Sequence, residues 1–149
     1  MPKAMTEMVE IGTLIGEAVE NVLETMCFSA VMGPAESSQA QASLGVGACV
    51  SFRGPSKGSV LIGCSPGGAQ LLSKNFLGEE IVCDEQSSQF LLELANMICG
   101  AIVSAFGGAG QYDLSLPESV APESLLGATG IRCDFELEEG CMSVVLCQV

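Results

Sequence analysis

Glu93, Asn96 and Gly100 stand three and four residues apart inside a long apolar segment. Set on a helix at about 100° per residue, they share one stripe of roughly 80° with Gln89 and Ser104. Leu91, Leu94, Ile98, Ala101, Ile102 and Ala105 fall in a separate arc of roughly 100°, the width expected of a core-facing surface. Asn96 lies almost opposite the centre of that arc, and Glu93 is its neighbour on the helix. A carboxylate pairs with a cation, and a carboxamide donates and accepts hydrogen bonds. A glycine one turn further on leaves a shallow dent. Together these groups suit an approach to the polar site of another molecule.

Two bland accounts compete with that one. Glycine inside a helix costs about 1 kcal/mol relative to alanine, and close packing against a neighbouring strand would also explain Gly100. The chain has 15 Glu and three Asn. Some Asn then has a Glu three before it in about 30% of such chains, and a solvated helix face looks the same. Spacing by itself leaves the choice open.

The segment carrying the stripe begins at Asp84-Glu85-Gln86-Ser87, reasonable start chemistry for a helix. It runs to about Phe106 and should stop at Gly107-Gly108. An earlier helix is predicted over 5–27, with Met8, Ile11, Ile15, Val19, Val22, Leu23 and Met26 near the helical period. Residues 33–45 read as a loop. A hairpin follows, pairing 47–52 with 59–64 around the turn Gly54-Pro55-Ser56-Lys57-Gly58. Residues 67–77 form a short helix between Pro66 and Gly78. After the long helix come strand candidates at 111–116, 128–137 and 142–148, with a loop over 117–124 and a turn at Glu139-Gly140.

Each half therefore has a long helix feeding antiparallel strands. The expected fold is α+β: an antiparallel sheet of about five to six strands, both long helices on one face, built from two pseudo-symmetric half-units. Residues 1–149 are expected to form one domain.

Composition narrows the function. The net charge is -13, and the five basic residues are scattered, so no basic patch exists to neutralise phosphates and nucleic-acid binding is not expected. The first ten residues lack the regions of a signal peptide, and no apolar run is read as a membrane span. A cytoplasmic, membrane-free location is the expectation. The eight cysteines include no C-x-x-C pair and no metal-site spacing, so most are read as small buried hydrophobes and no metal site is expected. Histidine is absent, which removes Ser-His-Asp and Cys-His nucleophile systems.

The run Glu93-x-x-Asn96-Met97-Ile98-Cys99-Gly100, with Pro117 beyond it, resembles the CheX branch of the CheC/CheX/FliY family of chemotaxis phosphatases. The likeness extends upstream through the hairpin Phe52-Arg53-Gly54 to Gly58-Ile62 and the short helix from Gln70 to Gly78. Gln89 stands where family members often carry Asp or Ser, and Pro117 comes slightly early. The resemblance implies a CheC-like fold and hydrolysis of the aspartyl phosphate on a CheY-like response regulator. Asn96 would orient the attacking water, and Glu93 would pair with the regulator's active-site lysine. Gln89 and Gly100 would lie in the partner-binding surface. The phosphatase would carry no cofactor of its own, because the regulator supplies Mg²⁺. CheX-type proteins carry the motif once and are homodimers, so one site per chain and a homodimer are implied. Asn21 has Ala18 three before it, in keeping with a single copy. The rival readings are a non-catalytic adaptor or motor-switch-like module of the same fold, and a cysteine-based redox or metal protein.

Overall fold

In a computed structural model, residues 3–80, 82–106 and 111–148 are described. The first helix, α1 (Lys3–Met26), buries Ile15, Val19, Val22 and Leu23. Met26, predicted on its core face, is 42% exposed. The hairpin is β2 (Val46–Arg53) and β3 (Lys57–Cys64), in register from Val46↔Cys64 to Arg53↔Lys57. The short helix α3 (Pro66–Leu77) starts with Ser65, whose hydroxyl accepts from the Gly68 N–H at 3.2 Å, and has Pro66 at its first position. It ends at Gly78, which is left-handed at φ 71°. The long helix α4 (Asp84–Ala105) ends before the Gly107-Gly108 stop, which lies outside the described residues. Two C-terminal strands, β6 (Ile131–Glu136) and β7 (Cys141–Gln148), pair around Gly140 at φ 81°.

The expected loops hold structure. Within 33–45 lie a two-residue strand, β1 (Gly33–Pro34), and a short helix, α2 (Ser37–Ser43). Ala40 of α2 is buried, and its carbonyl accepts from the Cys141 thiol. A contact so remote in sequence holds a helix that local pattern does not announce. Residues 117–124 include β5 (Glu118–Val120), and α5 (Glu123–Leu126) begins there. The strand expected at 111–116 shrinks to β4 (Asp113–Leu114), and that expected at 128–137 starts only at Ile131, after Gly130.

The seven strands among the described residues form one antiparallel sheet in the order β1-β6-β7-β3-β2-β4, with β5 also on β2. The central partners are β3 and β7, one from each half. The halves exchange their edges: β1 of the first half pairs with β6, while β4 and β5 of the second half pair with β2. This is the expected pseudo-symmetric arrangement, with seven strands rather than five or six. Helices α1 and α4 pack against each other over one face of the sheet, α4 above β2 and α1 above β6. The main core lies between them and the inward residues Val50, Val60, Ile62, Phe135, Met142 and Val144. A smaller cluster of Leu61, Leu125 and Val145 occupies the opposite face.

Candidate functional site

The site is a face of α4, so what anchors that helix fixes the site. Asp84 and Glu85 lie in the first turn, where negative charge suits the helix dipole. The cap is Cys83 rather than the acidic pair: its thiol accepts from the third-residue N–H, and Gln86 Oε1 accepts from the Cys83 N–H at 2.8 Å. Sequence reading missed this reciprocal box because cysteine is an unusual cap; the spacing Cys83-x-x-Gln86 was its signal. Phe90, Leu91, Leu94, Ala95, Ile98, Cys99, Ile102 and Val103 are buried. By length and composition alone α4 is apolar enough to cross a membrane. Its apolar side faces the sheet and α1, as in the core helix of a folded protein.

The buried arc is turned from the predicted one. It takes in Ala95, Cys99 and Val103 and leaves Ala101 half-buried and Ala105 exposed. The cause is that α4 packs against α1 as well as the sheet, so two neighbours share its apolar surface. The predicted stripe survives the rotation. Gln89, Glu93, Asn96 and Ser104 are exposed, and Gly100 is half-exposed. The structure brings Gln89, Glu93, Asn96 and Gly100 onto one open face of one rigid helix.

Among the described residues, the side chains of Glu93 and Asn96 make no hydrogen bond or ion pair within the chain; the one ion pair there joins Arg132 to Asp134 at 3.5 Å. Gly100 settles one competing account. A Cβ built on it meets nothing within 4 Å, so no strand packs against it. The absent side chain leaves open space one turn from Asn96. Pro117 lies between β4 and β5 and is half-buried.

Four of the thiols behave as packing groups. Cys27, Cys64, Cys99 and Cys141 are buried, and all eight are free. Burial pushes the Cys27 and Cys99 thiols up to about 12. It also raises Cys64, where the neighbouring Cys141 and Cys27 add to the effect. These thiols stay protonated and poorly nucleophilic at neutral pH. Among the described residues, no group of three or more Cys, Asp or Glu side chains is placed to hold a metal.

Comparison with known structures gives the same fold at low identity. The chemotaxis protein CheX of Vibrio vulnificus superposes with a TM-score of 0.73 at 20% identity, covering 94% of this chain and 97% of that one. A CheX from Borrelia burgdorferi, in a CheX–CheY–BeF₃–Mg²⁺ complex, gives 0.68 at 19%, covering 91% and 96%. The FliM middle domain of Vibrio alginolyticus gives 0.56 at 16%, covering 94% and 92%. No curated protein matches the chain significantly in sequence. Residues 46–136, more than half of the 149, match the family model of the chemotaxis phosphatase CheX, and the chain belongs to that family.

Proposed function

We propose that the chain hydrolyses the aspartyl phosphate of a CheY-like response regulator, with Asn96 orienting the attacking water and Glu93 engaging the regulator's active-site lysine. The observation that carries this reading is the unpartnered, exposed pair Glu93 and Asn96 beside the open space at Gly100. Family membership and the Borrelia relative's complex with CheY, BeF₃ and Mg²⁺ support it.

The chemistry asks little of this chain beyond position. The regulator brings the phosphoaspartate and Mg²⁺, which neutralises charge on the phosphoryl oxygens. Water adds to phosphorus as the P–O bond to the aspartyl carboxylate breaks. The products are free carboxylate and inorganic phosphate, which carries the proton from water. The Asn96 carboxamide oxygen accepts from the water while its nitrogen donates elsewhere, holding the oxygen in line. Its helix is fixed by a buried face and a reciprocal cap, so little ordering remains to be done on binding. Glu93, one turn before Asn96, sets the register of the two proteins. Gln89 extends the contact surface along the same stripe. We extend the reading to a homodimer, as the family resemblance implies.

Glu93→Gln tests the registering role. It keeps shape and helix propensity and removes the charge. We expect KM for the phosphorylated regulator to rise about fivefold to tenfold, with kcat changed less, and the effect to shrink as salt is raised. Steady-state phosphate release at two ionic strengths gives the answer. Equal KM values for Glu93→Gln and wild type would remove Glu93 from the interface. The competing reading is a binding module of the same fold without catalysis. Binding of phosphorylated regulators with no acceleration of phosphate release would favour it.

A further inference from the structure

Next to the stripe lies an apolar surface that the chemistry above leaves unused. Phe76 and Leu77, the last two residues of α3, are 36% and 42% exposed. The Phe76 ring rests on Phe90, with centroids 5.0 Å apart, so it is held in place before any partner arrives. With Gln86, Gln89, Phe90 and Glu93 these residues line an open groove of about 290 Å³. Gln86, Gln89 and Glu93 occupy successive turns of α4, so the groove follows the helix for about 10 Å. Its floor is aromatic and aliphatic and its rim is polar, the anatomy of a small binding hot spot.

Single exposed apolar side chains are ordinary. Here two adjoin, one is pre-ordered, and Glu93 belongs both to this groove and to the Glu93–Asn96 stripe. A molecule that brings a cation to Glu93 therefore sits over the groove. The surrounding charge is mostly negative: Glu79 and Glu80 follow Leu77 and Gly78, Glu85 precedes Gln86, and all three are exposed, against Lys74 in the last turn of α3. The complementary surface is an apolar side chain flanked by basic ones.

We propose that this groove docks an apolar side chain of the same phosphorylated receiver domain, beside its active site; the inference rests on the phosphatase reading. Phe76 and Leu77 supply affinity, and Asn96 supplies rate. The test is steady-state hydrolysis of a receiver domain phosphorylated by a small phosphodonor, with binding of the beryllofluoride-activated domain measured in parallel. Leu77→Gln keeps helix propensity and removes the apolar surface. It should raise KM and Kd together by about fivefold, with kcat within about twofold and an unchanged melting temperature. Phe76→Leu, which retains a contact to Phe90, should shift KM and Kd the same way by a smaller factor. Wild-type KM and Kd in a folded Leu77→Gln would overturn the docking role while leaving the phosphatase reading intact. A wild-type chain that neither binds nor dephosphorylates any receiver would overturn both.

Discussion

Asn96→Ala should lower phosphate release by about a hundredfold or more and leave the fold as stable as before. The first half of this expectation follows from positioning: loss of in-line alignment of water costs on that order even when binding survives. The second half follows from exposure. Asn96 is exposed, and α4 is held by its buried residues on the other side. Alanine is also the better helix former, so stability should move by less than about 0.5 kcal/mol. Three measurements on one pair of proteins decide it: phosphate release, affinity for the activated regulator, and melting temperature. The pattern expected is lost release, retained affinity and an unchanged or slightly higher melting temperature. Normal release from Asn96→Ala would discard the water-orienting role. Unfolding would mean that the stripe faces inward.

Gly100→Leu should move stability and activity in opposite directions. In a helix interior leucine is favoured over glycine by about 0.5–1 kcal/mol, and nothing in the chain lies within 4 Å of a Cβ at this position. The melting temperature should therefore rise by about 1–4 °C. The same side chain would project into the clearance one turn from Asn96, where the proposed function brings the regulator close. Phosphate release should fall at least about tenfold, through KM and kcat together, because the partner is held back from its productive geometry. Gly100→Ala should show the same signs at smaller size. A destabilising mutation could lower activity for trivial reasons, and a rise in melting temperature excludes them. Full activity in Gly100→Leu would show that nothing approaches the dent.

The parts of the fold that sequence displayed are those held by local chemistry. The apolar period of Leu91, Leu94, Ile98 and Ile102 marks α4. Pro66 and Gly78 bracket α3, and the Gly54–Gly58 turn joins β2 to β3. What stayed hidden depends on remote partners. Gly33-Pro34 and Glu118-Ser119-Val120 have no strand signature of their own. They are strands because β6 and β2 present free backbone groups to them. Helix α2 forms over a sequence of serine, glutamine and alanine because Ala40 is buried against β7. Within the site, the period located Glu93 and Asn96, and the family motif gave them roles. Gly100 needed the structure, since a helix wheel cannot distinguish a packed glycine from an open one. Phe76 and Leu77 read as ordinary helix residues; only the burial of their neighbours shows that they are left outside.

The exchange of edge strands has a consequence for how the chain comes to be folded. Residues up to Gly78 contain β2 and β3 but lack β4 and β5, which cover the outer side of β2. They also lack β7, the inner partner of β3. A nascent chain that has emerged only to this point exposes both flanks of its hairpin to any other strand it meets. The second half has the reciprocal deficit, with β6 awaiting β1 and β7 awaiting β3. Neither fragment can close its own sheet, so the complete sheet forms only after β7 has been made. Helix α4, made in between, settles onto strands from the first half. The face that carries Glu93 and Asn96 is thus made with the second half and packed on the first.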